Sequence, residues 1–245
     1  MAGRISYYGG IVKDGLVLDL DAAKRDSYSG VGTAWNDISG NINNGTLTNF
    51  GSQTIFNSAN GGSIVFDGVD DYTNFGNILN LGTNNCTINV WLKINSTWAS
   101  GTKYFISKAL AGAQNYRYAF GFTQTRQLRG FVQGNGGADI VPNTITTLNL
   151  NQWYMCTMVI NRSSIIELYI NSVLQNVDST ATISQWDNLN FQSTNPFRVG
   201  SYTAADNITP AVPFPGNISI TQMYFRSLSA SEILQNYNAT KGRYL

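Results

Sequence analysis

The sequence contains no histidine, and this absence excludes several kinds of chemistry. Without an imidazole, the chain cannot form a Ser-His-Asp or Cys-His nucleophile pair or a His-ligated zinc site. Glutamate is almost as scarce, because Glu167 and Glu232 are the only two. The commonest hydrolase mechanisms are therefore not expected here.

Charge is also scarce, at 12% of the 245 residues, and Lys and Arg (15) nearly balance Asp and Glu (14). A net charge of +1 provides no broad positive field for a phosphate backbone, so nucleic acid is not an expected partner. No stretch approaches the ~18 consecutive apolar residues of a membrane span, so we expect no membrane insertion. The first residues lack the apolar segment of a signal peptide, so either the chain is made and used without Sec export or a signal was removed upstream, and Met1 favours the first.

The chain has only two cysteines, Cys86 and Cys156, and each falls in a predicted strand. A chain of this length buries roughly 70% of its unfolded surface and needs no disulfide or metal to fold. We therefore predict two small buried side chains. A disulfide between neighbouring strands is the alternative.

In place of charge, the polar surface is built from amides and hydroxyls, including 29 Asn, together with 24 Gly. These residues favour turns and strands over helices. Alternating apolar and polar residues predict strands at 15–20, 63–66, 86–94, 116–122, 128–133, 153–160, 165–171, 197–201 and 218–225. About a dozen short antiparallel strands separated by Asn/Gly turns predict an all-β jelly-roll β-sandwich.

One segment near the C-terminus has the pattern of a helix. Residues 229–232 form a capping box, in which Ser229 and Glu232 satisfy each other's backbone N–H groups. The helix should end near Lys241, and this role explains Glu232 without catalysis. We predict two units: an N-terminal arm at 1–14 and one domain at 15–245.

Three segments carry a resemblance to a known family. They are GLVLDLDAA (15–23) with WNDISGNINNGTL (35–47), SIVFDGVDDY (63–72), and LSASEI (228–233) followed by QNY (235–237). In this order and spacing the chain resembles the concanavalin A-like, laminin-G-like jelly-roll domains found in phage structural proteins and bacterial surface proteins. The resemblance covers residues 15 to about 241. It implies the fold clearly and the function weakly, since such domains include carbohydrate binders, adhesion modules and structural decorations.

Two acidic and amide-rich turns are candidates for a metal site. Close carboxylates repel one another unless a cation or backbone N–H groups offset them, and calcium prefers six to eight oxygen ligands. The candidate ligands are Asp37, Asn41, Asn43, Asp67, Asp70 and Asp71. We predict that calcium, if bound, lies between the 37–44 loop and the 67–71 turn. The alternative is that these side chains only cap tight turns.

The resemblance bears on this calcium prediction in two ways. Relatives often carry a structural calcium, but their last strand commonly has an acidic pair where this chain has Ser219 and Thr221. That departure favours the capping alternative. No cofactor is required by the sequence, and calcium is the one candidate.

Aromatic residues in predicted loops are candidates for sugar binding. Trp98, Trp186, Tyr202 and Phe214 are of the type that stacks on pyranose faces while amides bind hydroxyls. The alternative is that they pack under loops or at interfaces. Glycosidases need two carboxylates flanking the scissile bond, and Glu167 stands alone on its strand, so we predict no enzymatic activity.

Two functional hypotheses follow. The first is a structural virion protein, such as a capsid decoration, head fibre or tail-associated subunit, assembled in the host cytoplasm and able to bind host glycans weakly. The second is a carbohydrate-binding or adhesion module on a bacterial cell surface. Both follow from the resemblance and from the absence of catalytic groups.

The N-terminal arm is predicted to make the contacts within such a particle. It holds five apolar or aromatic residues around a glycine pair, namely Ile5, Tyr7, Tyr8, Ile11 and Val12. Such residues at a free terminus favour docking against a partner. We expect the arm to bind other virion proteins or a sister subunit.

Overall fold

The computed structural model describes residues 9–53, 55–112, 116–134, 139–178 and 190–245. The strands are β1 (Leu16–Asp21), β2 (Ala34–Trp35), β3 (Gly45–Thr48), β4 (Phe56–Asn57), β5 (Ser63–Asp67), β6 (Tyr72–Asn74), β7 (Cys86–Ile94), β8 (Lys103–Lys108), β9 (Arg117–Phe122), β10 (Gln127–Gln133), β11 (Asn143–Thr147), β12 (Trp153–Ile160), β13 (Ile166–Ile170), β14 (Val173–Leu174), β15 (Phe197–Val199), β16 (Tyr202–Thr203), β17 (Pro210–Ala211) and β18 (Pro215–Tyr224). The helix α1 (Ala230–Thr240) follows, and 3₁₀ turns occupy Ala59–Gly61 and Lys241–Arg243. No helix in these ranges is long and apolar enough to cross a membrane.

The strands form two antiparallel sheets packed face to face. The first sheet has the order β14-β13-β12-β7-β18-β5-β4, and β1 pairs with β18 on the same side as β5. The second has the order β11-β10-β9-β8-β15-β6-β3-β2, and β16 pairs with β17 separately. This arrangement confirms the predicted all-β jelly-roll sandwich with one short C-terminal helix.

The core lies between the sheets and follows the predicted alternation. On β7, the residues at 86, 88, 90, 92 and 94 face it and are fully buried. Cys86 and Cys156 both face this core as free thiols. Their strands are neighbours, but Cys86 lies opposite Ile160 and Cys156 opposite Val90. The prediction of two small buried side chains is therefore confirmed.

The outer face of the first sheet is covered by α1 and the C-terminal residues. The ring of Trp91 on β7 stacks against Tyr244 at 4.1 Å and Tyr237 at 5.8 Å. Its indole N–H donates to Thr240 Oγ1 at 2.7 Å. The helix is thereby fixed over the centre of the sheet.

The predicted capping box forms at the start of α1. Ser229 Oγ accepts from the N–H of Glu232, and the Glu232 carboxylate accepts from the N–H of Ser229. Arg226 also forms a bidentate ion pair with Glu232. Glu232 therefore has a structural role, as its sequence context indicates.

The described end of the N-terminal arm packs on its own domain. The N–H of Val12 donates to Asn236 Oδ1 at 2.8 Å, and its carbonyl accepts from the Tyr224 hydroxyl at 3.0 Å. Gln235 donates to the carbonyl of Gly10 at 2.8 Å. Residues 10–12 thus belong to the domain's packing, which corrects the expectation of an arm that is separate up to residue 14. Residues 1–8, with Ile5, Tyr7 and Tyr8, lie outside the described ranges, and partner binding stays a prediction.

Candidate functional site

The three carboxylates of the 67–71 turn converge. One oxygen from each of Asp67, Asp70 and Asp71 lies within 4.8 Å of the others. The turn is tight because Gly68 has φ +80°, and a Cβ at that position would lie 2.6 Å from Cβ of Pro215. Asp67 Oδ1 accepts from the N–H groups at 69 and 70, so this carboxylate also caps the turn.

Asp71 is the buried member of the cluster. Its Oδ2 accepts from the N–H of Asp67 at 2.8 Å and from the Gln53 amide, whereas Oδ1 is buried without a hydrogen-bond partner. Burial raises the pKa of Asp71 to about 6, and the neighbouring charge of Asp67 adds to this effect. An unpaired buried carboxylate oxygen is costly, so the turn favours a proton or a cation at this atom.

The 37–44 loop has a different role. The carboxylate of Asp37 accepts four hydrogen bonds, from Asp19 N, Ser39 N, Ser39 Oγ and Asn43 N. The side-chain amides of Asn41 and Asn43 donate to the carbonyls of Leu16 and Val17. These bonds tie the loop to β1. For this loop the contacts are those of the alternative stated above, in which the side chains cap a tight turn.

The two groups of candidate metal ligands lie apart. Asp19, to which Asp37 is bound, pairs with Gln222 of β18, whereas Asp67 pairs with Pro215 of the same strand. Seven residues of strand separate these positions by roughly 20 Å. The structure therefore does not bring the 37–44 loop and the 67–71 turn together, and Asp67, Asp70 and Asp71 remain as one group.

A cleft of about 320 Å³ opens beside this turn. It is lined by Asn49, Val69, Asp70, Tyr72, Ile208, Thr209 and Pro210. The side-chain amide of Asn49 donates to the carbonyl of Asp70 at 3.2 Å, which fixes one end of the cleft. We refer to this site, together with Asp67 and Asp71, as the acidic cleft.

Buried Arg198 joins the two walls of the acidic cleft. Its guanidinium stacks on the ring of Tyr72, 4.1 Å from the centroid, and donates to the carbonyls of Ile208 and Thr209 at 2.6 and 3.3 Å. Asp206 accepts hydrogen bonds from the Thr209 hydroxyl and from the N–H groups of both residues, which lowers the pKa of Asp206. The cleft is thus formed before any ligand arrives.

The aromatic residues predicted to bind sugar lie elsewhere. Trp98 is half-buried with its edge toward Phe122, and the ring of Tyr202 is buried against Tyr104 at 5.0 Å. Phe214 is fully buried in the core, and Trp186 lies outside the described residues. The structure places none of the three described residues in the cleft. Trp98, Tyr202 and Phe214 instead pack against other aromatic rings, as in the alternative to sugar binding.

Tyr72 is the aromatic residue of the cleft, and sequence reasoning did not single it out. It directly follows the 67–71 turn, and its place next to this acidic turn is the feature of the sequence that could have identified it.

The two glutamates have structural roles. Glu167, the isolated glutamate, accepts from the Tyr169 hydroxyl at 3.0 Å. The ion pair with Arg226 lowers the pKa of Glu232 to about 2. Neither glutamate lines the acidic cleft.

Comparison with known proteins supports the fold. A laminin G family model, described as the concanavalin A-like lectin/glucanases superfamily, matches residues 67–234. Comparison with curated protein sequences finds no match.

Several solved structures are similar to the chain. The binding domain of Paraclostridial mosquitocidal protein 1 superimposes with a TM-score of 0.68 at 16% identity, covering 93% of this chain and 52% of that one. Domain 4 of the arabinanase AbnA from Geobacillus stearothermophilus, in complex with arabinotriose, gives 0.65 at 16%, covering 91% and 98%. Trypanosoma rangeli sialidase gives 0.63 at 16%, covering 93% and 33%, so the chain spans about a third of that enzyme. At these identities the likeness concerns the fold.

Proposed function

The chain belongs to the laminin G family of the concanavalin A-like lectin/glucanases superfamily, and on this basis we propose that it is a carbohydrate-binding module that holds a neutral glycan in the acidic cleft without cleaving it. The observation that carries the proposal is the cleft itself. A concave site whose walls are tied together by Arg198 combines exposed apolar groups with a few fixed polar groups. This is the usual composition of a small-molecule site.

The lining residues match the two kinds of surface on a sugar. Asp70 and the Asn49 amide supply acceptors and a donor for hydroxyl groups. Val69 and Ile208, which are 73% and 72% exposed, offer apolar surface to the C–H faces of the ring. Asp67, Asp70 and Asp71 give the site an acidic character, because the one nearby arginine is buried behind Tyr72. A neutral glycan therefore fits better than an acidic one.

Calcium at the 67–71 turn belongs to the same proposal. The orphaned Oδ1 of Asp71 and the two neighbouring carboxylates fit a hard cation that prefers oxygen ligands. When bound, calcium would offset two of the three negative charges and reduce the repulsion among Asp67, Asp70 and Asp71. Without it, Asp71 keeps a proton to a higher pH than an ordinary aspartate.

Catalysis is not part of the proposal. Glycoside hydrolysis requires two carboxyl groups on either side of the scissile bond, one of them protonated. Asp71 has a suitably raised pKa, but it is fully buried and does not line the cleft. Of the clustered carboxylates only Asp70 reaches the cleft, which leaves a bound sugar without the second group.

The solved arabinanase domain, which was crystallised with arabinotriose, supports a carbohydrate ligand for this fold. The virion setting inferred from the sequence, with the bacterial cell surface as its alternative, stays a prediction. Either setting is compatible with a module that binds glycans on a larger assembly.

The test is calorimetric titration with a panel of neutral oligosaccharides that includes arabinotriose. We expect binding by the wild type and a loss of at least about tenfold in affinity for Asp70→Asn, which replaces a charged acceptor with an amide, and for Asn49→Ala, which removes an amide. Asp26→Asn is the matched control, because it removes an exposed carboxylate outside the cleft. Equal binding by all variants, no binding to any neutral glycan, or sugar cleavage during the titration would each contradict the proposal.

A further inference from the structure

A second hollow lies on the side of the first sheet that carries α1. It has a volume of about 340 Å³ and separates the N-terminal segment from the C-terminal end of the helix. Its lining consists of Gly10, Ile11, Lys13, Asp21, Lys24, Ala239, Thr240 and Arg243. We call it the basic groove, since three of these eight residues are cationic and one is acidic.

The floor of the basic groove is a fixed ion pair. Arg243 Nη1 donates to both carboxylate oxygens of Asp21, at 2.9 and 3.1 Å. The second guanidinium nitrogen donates to Ser219 Oγ and the Tyr244 hydroxyl, which anchors it to β18 and the C-terminus. Arg243 and Asp21 thus offset each other's charge. Asp21 retains lone pairs that can accept further hydrogen bonds.

The two lysines at the rim are weakly engaged. Lys13 Nζ lies 3.7 Å from Asp19 Oδ2, and Lys24 Nζ lies 3.8 Å from Asp21 Oδ2. Both distances exceed a hydrogen bond, and the lysine side chains are 66% and 55% exposed. Each pair joins an exposed ammonium group to a buried carboxylate at a distance beyond hydrogen bonding, so both ammonium groups keep most of their donor capacity.

The acidic partner of Lys13 is buried. Asp19 lies on β1, its Oδ2 has no hydrogen-bond partner in the described part of the chain, and burial raises its pKa. The charged groups around it are Lys13, Lys24 and Asp21. Asp19 offers Lys13 only the contact at 3.7 Å, so the ammonium group stays exposed at the rim of the groove.

We propose that the basic groove binds a saccharide that carries a carboxylate, with Lys13 and Lys24 holding the carboxylate and Asp21 accepting sugar hydroxyl groups. Ile11 and Ala239 supply apolar contact for the ring. A multiply charged anion such as phosphate suits the groove less well, because Asp21 in the floor repels its additional negative charge. The site is separate from the acidic cleft and does not depend on the function proposed there.

The test compares carboxylated oligosaccharides, namely galacturonate, glucuronate and sialyl forms, with the same compounds after reduction of the carboxyl group. We expect at least one acidic compound to bind the wild-type chain about tenfold more tightly than its reduced form. The Lys13→Gln/Lys24→Gln double variant should lose that preference. Lys103→Gln, which removes a half-exposed lysine from β8 on the other sheet, should keep it.

The outcomes separate the two sites. Asp70→Asn should leave binding of the acidic compound unchanged, even if it abolishes binding of neutral glycans. An unaltered melting temperature of the double variant shows that any loss of binding is not a loss of folding. Failure of every acidic compound to bind, equal binding by the double variant, or equally tight binding of inorganic phosphate would overturn the proposal.

Discussion

The acidic cleft and the basic groove use the same few types of charged side chain, yet they present opposite charges to solvent. In the cleft, the cation is the buried partner, because Arg198 is 2% exposed behind Tyr72 while Asp70 faces outward. In the groove, the carboxylate of Asp21 is the buried partner, and the lysines face outward. The sign of each site therefore follows the charged groups that remain exposed in its lining, Asp70 in the cleft and the two lysines in the groove. Because positive and negative residues nearly balance, the net charge of +1 for the whole chain indicates neither site.

The two sites also differ in how their central arginine is satisfied. Arg198 donates to backbone carbonyls and stacks on an aromatic ring, and its charge acts on Asp206 through space without an ion pair among the described residues. Arg243 neutralises a carboxylate that is only 5% exposed. Removing the arginine should therefore destabilise the fold more at the groove, where a buried carboxylate loses its counter-charge, than at the cleft.

The largest loss of folding stability is expected from Arg243→Ala. Removing one partner of a buried ion pair costs about 3–5 kcal/mol, because the other charge stays buried and unpaired. The Arg243 side chain is 27% exposed, so water offsets part of the loss and we expect about 3 kcal/mol. The measurement is the free energy of unfolding by urea denaturation. Arg243→Lys, which keeps the charge but not the second guanidinium nitrogen that donates to Ser219 and Tyr244, should lose less, and a loss below about 1 kcal/mol for Arg243→Ala would contradict this account.

An effect on stability of opposite sign, and at most of similar size, is expected at the cleft from Asp71→Asn, with excess chelator present. Asp71 has a folded-state pKa of about 6 against an ordinary value of 3.8, so the folded chain binds more protons between these values and loses stability as pH rises through them. Asparagine cannot ionise. The variant should therefore equal the wild type below about pH 4 and exceed it by at most about 3 kcal/mol well above pH 6.

Calcium provides the second arm of that experiment. A cation bound only by the folded state stabilises it by mass action. If the turn holds calcium, adding calcium should raise the melting temperature of the wild type more than that of Asp71→Asn. A wild-type melting temperature that does not respond to calcium or chelator would remove calcium from the proposed site, and a variant that is less stable at neutral pH without calcium would contradict the burial of an unpaired charge.

The parts of these two sites that the sequence predicts are the local ones. The 67–71 turn is visible because three aspartates follow a strand within five residues, and the capping box at 229–232 is equally local. The strand β8 escapes prediction because a bulge between Tyr104 and Ile106 lets both Phe105 and Ile106 face the core, which breaks the alternation. Local patterns thus predict most of the sandwich but not its irregular strands.

The basic groove, in contrast, cannot be predicted from local patterns. Lys13 and Lys24 meet Arg243 only because β1 pairs with β18 and α1 folds back over the same sheet. The role of Asp37 is hidden for a related reason. Its four hydrogen bonds depend on where the loop meets β1, and the sequence shows only that a carboxylate is present.

The smallest effect on stability is expected from Lys24→Gln, and this prediction distinguishes a ligand-binding group from a structural one. Lys24 lies 3.8 Å from Asp21, which already receives two hydrogen bonds from Arg243. Removing an exposed and redundant charge should change the free energy of unfolding by less than about 0.5 kcal/mol, and the change should shrink further at high salt. Urea denaturation at low and high ionic strength measures this, with Lys103→Gln as the control of equal charge. A loss above about 1 kcal/mol would mean that Asp21 needs Lys24 as well as Arg243, and that the lysine is not available to hold a carboxylate in the groove.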